Sequence, residues 1–156
     1  MRALIALALL AILLFAIVAS IASAQSGVVN QHRLIDDTDV YYGFVPSAAA
    51  GAHPASHAEA AMHGGVPGSR NSYHLTVALF DHATQKRITD AQVTAAVGEI
   101  GLGETRRMLE PMTIDGTITY GAYFNLGGIG PYRVRIEARR PDRAGKVPVQ
   151  FEYRPQ

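Results

Sequence analysis

The alternation of apolar with polar or small residues, repeated in short segments, is the feature that most constrains the fold of this chain. In residues 74–80, Leu75, Val77 and Leu79 occupy every second position. Successive side chains of a β-strand point to opposite faces, so this period predicts a strand with one face turned to a core. Glycine and proline separate the segments, as in tight turns between antiparallel strands. The pattern predicts an all-β protein.

The same signal recurs at a spacing that indicates the architecture. Six further strands are predicted, at residues 40–45, 92–97, 108–114, 117–126, 132–138 and 147–153. About seven short strands with turns between them are typical of an immunoglobulin-like β-sandwich, and an open barrel is the alternative arrangement. We expect residues 73–156 to form the sandwich core, with the strand near residues 40–45 joining it.

The N-terminus has the pattern of an export signal. Arg2 precedes an apolar run over residues 3–19, and Ala22-Ser23-Ala24 is a small-residue cleavage site. We expect residues 1–24 to be a signal peptide, cleaved after Ala24, and the mature protein to be periplasmic. The alternative is an uncleaved inner-membrane anchor, because an apolar stretch of roughly 20 residues can span a bilayer.

Composition excludes several classes of protein. The chain has no cysteine, so its fold depends on its core without disulfides. It has 14 Lys and Arg, of which Arg2 belongs to the signal peptide, against 13 Asp and Glu, so the mature chain is formally neutral. A neutral surface argues against a nucleic-acid partner. The sequence lacks the motifs of common hydrolases, metalloproteases and phosphate-binding enzymes, and we do not expect an enzyme.

Residues 25–72 form an extension before the predicted core. From residue 48 it is rich in Ala, Gly, His, Pro and Ser, which is typical of a loosely ordered segment. Ser56 and Glu59 have the spacing of a capping box, which predicts a short helix at residues 57–63. The extension contains five candidate metal ligands: His53, His57, Glu59, Met62 and His63. Imidazole binds copper in either oxidation state and a thioether favours Cu(I). The alternative is that these histidines collect in a low-complexity segment without binding a metal.

Met112 is a second candidate ligand for a soft metal. Pro111 restricts the backbone before it, and Asp115-Gly116 predicts a tight turn just after it. The thioether is therefore expected near the end of a hairpin. Met108 lies four positions upstream, on the same strand face if no bulge intervenes. The alternative is a methionine that fills a gap in the core.

The other histidines and acidic residues carry no comparable indication of metal binding. His74 and His82 flank the first clear strand and are predicted to be surface or edge residues, and His32 stands among polar residues. The run Asp36-Asp37-x-Asp39 lacks the spacing of a calcium loop. We predict that it is a solvated turn.

Four motifs in the second half of the chain carry a resemblance: Pro111-Met112, Asp115-Gly116, Tyr120-Gly121-Ala122 and Gly130-x-Tyr132-Arg133-Val134. Together they resemble the periplasmic Tp34-type proteins. The resemblance implies an immunoglobulin-like fold, often as a homodimer, and a role in iron or copper uptake beside an inner-membrane permease. Met112 matches the metal-binding methionine of those proteins. Thr119 replaces their histidine, and Glu110 replaces the first of their paired methionines, which makes Glu110 a further candidate ligand.

Residues 81–97 also resemble the YtkA and FixH types of periplasmic sandwich, through Asp81, Thr84, Ile88 and Asp90-Ala91-x-Val93. Both resemblances imply the same fold and compartment. The leading hypothesis is a non-enzymatic periplasmic protein that binds or delivers copper or iron. The alternative is a structural or interaction module without a metal.

Overall fold

The computed structural model describes residues 31–50, 67–114 and 116–155. This part of the chain contains eight β-strands and one helical turn, α1 (Ser47–Ala50). The strands are β1 (Gln31–Ile35), β2 (Thr38–Pro46), β3 (Ser72–Asp81), β4 (Gln92–Glu99), β5 (Thr105–Ile114), β6 (Thr117–Asn125), β7 (Tyr132–Arg139) and β8 (Val147–Tyr153). The prediction of an all-β sandwich is confirmed, with one more strand than expected.

Strand β5 joins the two layers of the sandwich. The strand order is β1-β2-β3-β6-β5-β4-β7-β8, and every neighbouring pair is antiparallel. Residues 105–109 of β5 pair with β4, whereas residues 110–114 pair with β6. The first half of β5 therefore belongs to the layer of β4, β7 and β8, and the second half to the layer of β1, β2, β3 and β6.

The core lies between these layers and is built from alternate residues of each strand. Leu75, Val77 and Leu79 of β3 are fully buried there. Val134 and Ile136 of β7 are buried in the same apolar cluster. At about 25 cal/mol per Å² of apolar surface removed from water, this cluster supplies the main driving force for a fold without disulfides.

Strand β2 pairs with β3 from Thr38 to Pro46, so the sheet includes the residues around 40–45. Strand β1 was not predicted. It forms the edge beside β2, and its three central residues are exposed. An edge strand whose central residues are exposed on both faces has little reason to alternate in hydropathy, so the sequence pattern could not reveal it.

Several sequence predictions concern residues outside the described ranges. They are the signal peptide at residues 1–24, the helix at residues 57–63 and the ligand group from His53 to His63. Among the described residues, no helix has the length and apolar character needed to cross a bilayer.

Tyr120 ties the core to the β3–β4 connection. Its side chain is buried, and its hydroxyl accepts a hydrogen bond from the Ala91 N–H at 2.9 Å and donates one to the Ile88 carbonyl at 3.3 Å. Burial raises the pKa of this phenol above its ordinary value. The hydroxyl therefore stays protonated and can serve both partners at once.

Tyr120→Phe is expected to lower the free energy of unfolding by about 1–2 kcal/mol, because it leaves two backbone groups without their partner. Urea denaturation followed by far-UV circular dichroism measures the loss. Tyr41→Phe is the matched control, since Tyr41 is 41% exposed. Equal stability of Tyr120→Phe and the parent would show that the hydroxyl contributes nothing.

Candidate metal centre

The candidate site lies on the outer face of the layer formed by β3, β6 and β5. Directly paired residues of antiparallel strands point to the same face. His74 pairs with Tyr123, and Met112 pairs with Thr119. Their neighbours in sequence, such as Leu75 and Tyr120, belong to the core cluster. His74, Tyr123 and Met112 therefore point away from the core.

Gly121 lies between His74 and Met112. A Cβ atom at Gly121 would stand 2.5 Å from His74 Nε2 and 2.5 Å from the Met112 methyl carbon Cε. Both distances are far shorter than a van der Waals contact. Only glycine leaves room here, and the imidazole and the thioether therefore lie side by side over the Gly121 backbone.

The pair is buried although it lies outside the core. His74 is fully buried, and Met112 is 3% exposed without being part of the core cluster. Tyr123 stacks on the His74 ring with centroids 4.6 Å apart. The ring fixes the orientation of the imidazole next to Met112.

Sequence reasoning missed His74. It was predicted to be a surface or edge histidine, and the structure overturns this because β3 is a central strand whose two neighbours cover both sides of the residue. One sequence feature could have indicated its orientation. His74 lies an even number of residues from Thr76 and Ala78, so it shares their strand face, which is opposite the face turned to the core. Which residues lie beside it depends on strand register, and register cannot be read from an isolated strand.

The other predicted ligands divide into two groups. Glu110 is exposed and pairs directly with Gly121, on the same face as His74 and Met112. His53, His57, Glu59, Met62 and His63 lie outside the described residues. Over residues 31–50, 67–114 and 116–155, no three His, Asp or Glu side chains are grouped to hold a metal ion.

The donor chemistry of the pair fits a soft metal. An imidazole nitrogen and a thioether are ligands that suit copper, the thioether favouring Cu(I). The described structure brings two donors together, and a metal held here would complete its coordination from other groups.

A second polar cluster surrounds Asp39. Its carboxylate is hydrogen-bonded by His32 Nε2 at 2.6 Å and His82 Nδ1 at 2.8 Å, and it accepts a bond from Gln85 Nε2 at 3.2 Å. The bond with His82 is the main cause that lowers the pKa of Asp39; burial opposes it, and the bonds with His32 and Gln85 act with it.

This cluster corrects the prediction that Asp36, Asp37 and Asp39 form a solvated turn. Asp36 and Asp37 do form an exposed turn, with positive φ angles of 45° and 59°. Asp39, however, is only 3% exposed. Through His32 and His82 this β2 residue links β1 to the loop after β3, and its role is structural.

Comparison with known proteins supports the fold. No protein-family model matches the chain, and no curated protein is similar to it. A solved DUF4426 family protein from Pseudomonas aeruginosa PAO1 matches with a TM-score of 0.59 and 19% identity. The match covers 81% of this chain and 95% of that one.

FetP from uropathogenic Escherichia coli strain F11 is also similar. Its as-isolated form matches with a TM-score of 0.58 and 15% identity, over 80% of this chain and 93% of FetP. A copper-bound variant of FetP matches with a TM-score of 0.57 and 14% identity, over 80% and 94%. At these identities the likeness establishes a shared fold, which agrees with the fold implied by the Tp34-type resemblance.

Proposed function

We propose that this protein is a non-enzymatic periplasmic metal-binding or metal-delivery protein, with copper as the first metal and iron as the second. The observation that carries the proposal is the buried pair of His74 and Met112 over Gly121. A core position would explain a buried methionine, but Met112 lies outside the core cluster. The copper-bound state of FetP, which has the same fold, supports the choice of copper.

In this proposal His74 and Met112 supply the first two donors. Glu110 is the next candidate, because it lies directly across from Gly121 on the same face. A carboxylate suits iron better than it suits Cu(I), so coordination by Glu110 would shift the preference of the site towards iron. The sequence offers further donors in His53, His57, Glu59, Met62 and His63.

The export signal and the FetP structure obtained from periplasmic expression support a periplasmic location. In that compartment a metal carrier without enzyme activity would act beside an inner-membrane metal permease, and the homodimer that the resemblance implies is part of the proposal. Native mass spectrometry of protein purified from the periplasm, combined with elemental analysis, tests both the metal and the dimer.

Met112→Leu and His74→Ala are each expected to weaken binding of Cu(I) by at least about tenfold, because loss of a donor should cost no less than loss of a residue that only orients a ligand, which costs roughly 10–100-fold. Competition with a chromophoric Cu(I) chelator measures the affinity. Met108→Leu is the matched control, because it removes a thioether that is 66% exposed and lies outside the pair. Unchanged affinity in both variants would refute the site.

The rival function is an interaction module without a metal. Among the strands that the structure describes, β1 and β8 are the two ends of the strand order, so each leaves an edge to which a partner strand could add. Absence of copper or iron from the periplasmic protein, together with no binding in titration, would favour this rival.

A further inference from the structure

Two loops at one end of the sandwich carry exposed apolar side chains. The β4–β5 loop contains Ile100 and Leu102, and the β6–β7 loop contains Ile129. Their exposed fractions are 37%, 69% and 96%. They are three of the six large apolar residues that are exposed in the described structure. We call these three residues and the backbone that carries them the apolar tip.

Hydrogen bonds hold the two loops of the tip together. The Ile100 N–H donates to the Pro131 carbonyl at 3.0 Å, and the Gly130 N–H donates to the Glu99 carboxylate at 3.1 Å. The Leu102 N–H donates to the Glu99 carbonyl at 2.9 Å, which closes the first loop. Single exposed apolar residues are common on protein surfaces, whereas a group of them on adjoining loops indicates a surface of contact.

Three arginines, Arg70, Arg133 and Arg154, lie at the same end of the sandwich. Arg133 is the second residue of β7, the strand that follows the second loop. Arg154 comes directly after β8, whose last residue pairs with the first residue of β7. Arg70 lies in the turn before β3, where the next residue, Asn71, accepts a hydrogen bond from the Leu126 N–H at 2.7 Å. The three guanidinium groups therefore lie around the tip.

These arginines differ from their neighbours in having no acidic partner. Among the described residues, none of the three forms an ion pair. Of the acidic residues at this end, Glu99 binds the backbone of the tip and Glu104 pairs with Arg135. Glu152 lies directly across from Arg133 and offsets that charge only. The other two guanidinium groups remain available to an external anion such as a phosphate.

We propose that the apolar tip binds the surface of a phospholipid bilayer. Its three apolar side chains enter the boundary between headgroups and acyl chains, and the arginines around it bind lipid phosphates. Ile129, at 96% exposure, projects almost clear of the protein. Such a convex point suits a fluid lipid boundary better than a protein partner, because protein interfaces depend on closely packed, complementary surfaces. The inference goes beyond the proposed function, since it requires no metal.

A tryptophan placed at the tip reports contact with lipid directly. The chain has no tryptophan, so Ile129→Trp carries a single fluorescent reporter. With vesicles of phosphatidylcholine and phosphatidylglycerol in equal parts, its emission is expected to shift to shorter wavelength, and lipids brominated on their acyl chains should quench it. Unchanged emission overturns the inference.

Leu34→Trp is the matched control for this reporter. Leu34 is also an exposed apolar residue, at 50%, but it pairs with Asp39 near the start of β2, at the end of the sandwich opposite to the tip. We expect its emission to stay unchanged when vesicles are added. An equal shift in both variants overturns the inference, because any exposed tryptophan would then suffice.

Co-sedimentation with the same vesicles measures what each group contributes. Ile129→Ser is expected to weaken binding by about tenfold, the factor that corresponds to burying one such side chain. Leu34→Ser, the same change at the opposite end, should bind like the parent. Equal affinities of Ile129→Ser and the parent overturn the inference.

The arginines are tested by neutral substitutions. Arg154→Gln is expected to weaken vesicle binding by about fivefold, the factor for one cation near an anionic membrane surface, and high salt should remove the difference. Lys86→Gln, in the connection between β3 and β4 at the opposite end, is the control and should bind like the parent. Equal losses in both variants overturn the role of the arginines around the tip.

The vesicle experiments are run with a metal chelator present, which separates this inference from the proposed function. Failure of the protein to bind Cu(I) refutes the metal centre and leaves the tip standing. Failure to bind vesicles refutes the tip and leaves the metal centre standing. Binding to membranes isolated from cells, without binding to vesicles of pure lipid, overturns the inference as well, because the partner would then be a protein.

Discussion

Gly121→Val is expected to abolish tight metal binding and to lower the free energy of unfolding by about 2–3 kcal/mol, the upper part of the range for overpacking a closely packed site. The valine Cβ would stand 2.5 Å from both His74 Nε2 and Met112 Cε, so both side chains must move. Urea denaturation measures the stability, and titration with Ag(I) measures the binding. Both effects come from one substitution.

Two variants make this prediction sharper. Gly43→Ala is the control: Gly43 is also in a central strand, but a Cβ there would meet no atom of the described residues within 4 Å, and we expect stability and binding close to those of the parent. The double variant Gly121→Val, Met112→Ala removes the contact with Met112 but leaves His74 Nε2 2.5 Å from the valine Cβ. It should recover only part of the lost stability and none of the metal binding. Parent-like stability and binding in Gly121→Val alone would show that the two side chains do not meet over Gly121.

Arg140→Met is expected to lower the free energy of unfolding by about 3 kcal/mol, because it removes one partner of a buried ion pair and leaves a partly buried carboxylate without its cation. The Arg140 side chain is 4% exposed and donates hydrogen bonds to Asp81 at 3.0 Å, Thr38 at 3.0 Å and Asp142 at 2.9 Å. These bonds join the two layers at one end of the sandwich. Guanidinium denaturation at pH 7 measures the change.

The same network predicts a dependence on pH. Hydrogen bonds from Thr84 and then from Arg140 lower the pKa of Asp81 to about 2, from an ordinary value of 3.8. The ionised carboxylate is favoured in the folded state, so its stabilising effect is complete above pH 3.8 and disappears as the pH falls towards 2. The parent should lose stability over this interval, and Arg140→Met should lose less.

Arg106→Met is the matched control for Arg140→Met. Arg106 also pairs with a carboxylate, that of Glu137 at 2.6 Å, but its side chain is 58% exposed. Exposed ion pairs contribute roughly 0–1 kcal/mol, so this change should be small. If both arginine variants lost the same stability, burial of Arg140 would not be the cause.

The sequence predicted the core-facing residues well, because they follow a local rule. Leu75, Val77 and Leu79 alternate and are all buried in the core. Edge and outer positions follow no such rule. Asp39 looked like part of a solvated turn, yet two histidines from different segments enclose it.

The candidate site shows the same division between residues that a local rule predicts and residues that it does not. Met112 drew attention because it stands beside a proline and a turn dipeptide, both of which are local signals. His74 has no local signal that separates it from an ordinary strand residue. Its contact with Met112 requires β6 to lie between β3 and β5 in one particular register, which places Gly121 between the two side chains.

The sequence by itself determined that this chain is built of short antiparallel strands around an apolar core, because alternation of side chains along a strand is a property of the local backbone. Only the tertiary structure decided which outer-face residues meet. A shift of one residue in strand pairing would turn His74 to the core and separate it from Met112. The pairing of β3 with β6 and of β6 with β5 therefore creates the candidate metal centre, and Gly121 is the residue that leaves space for it.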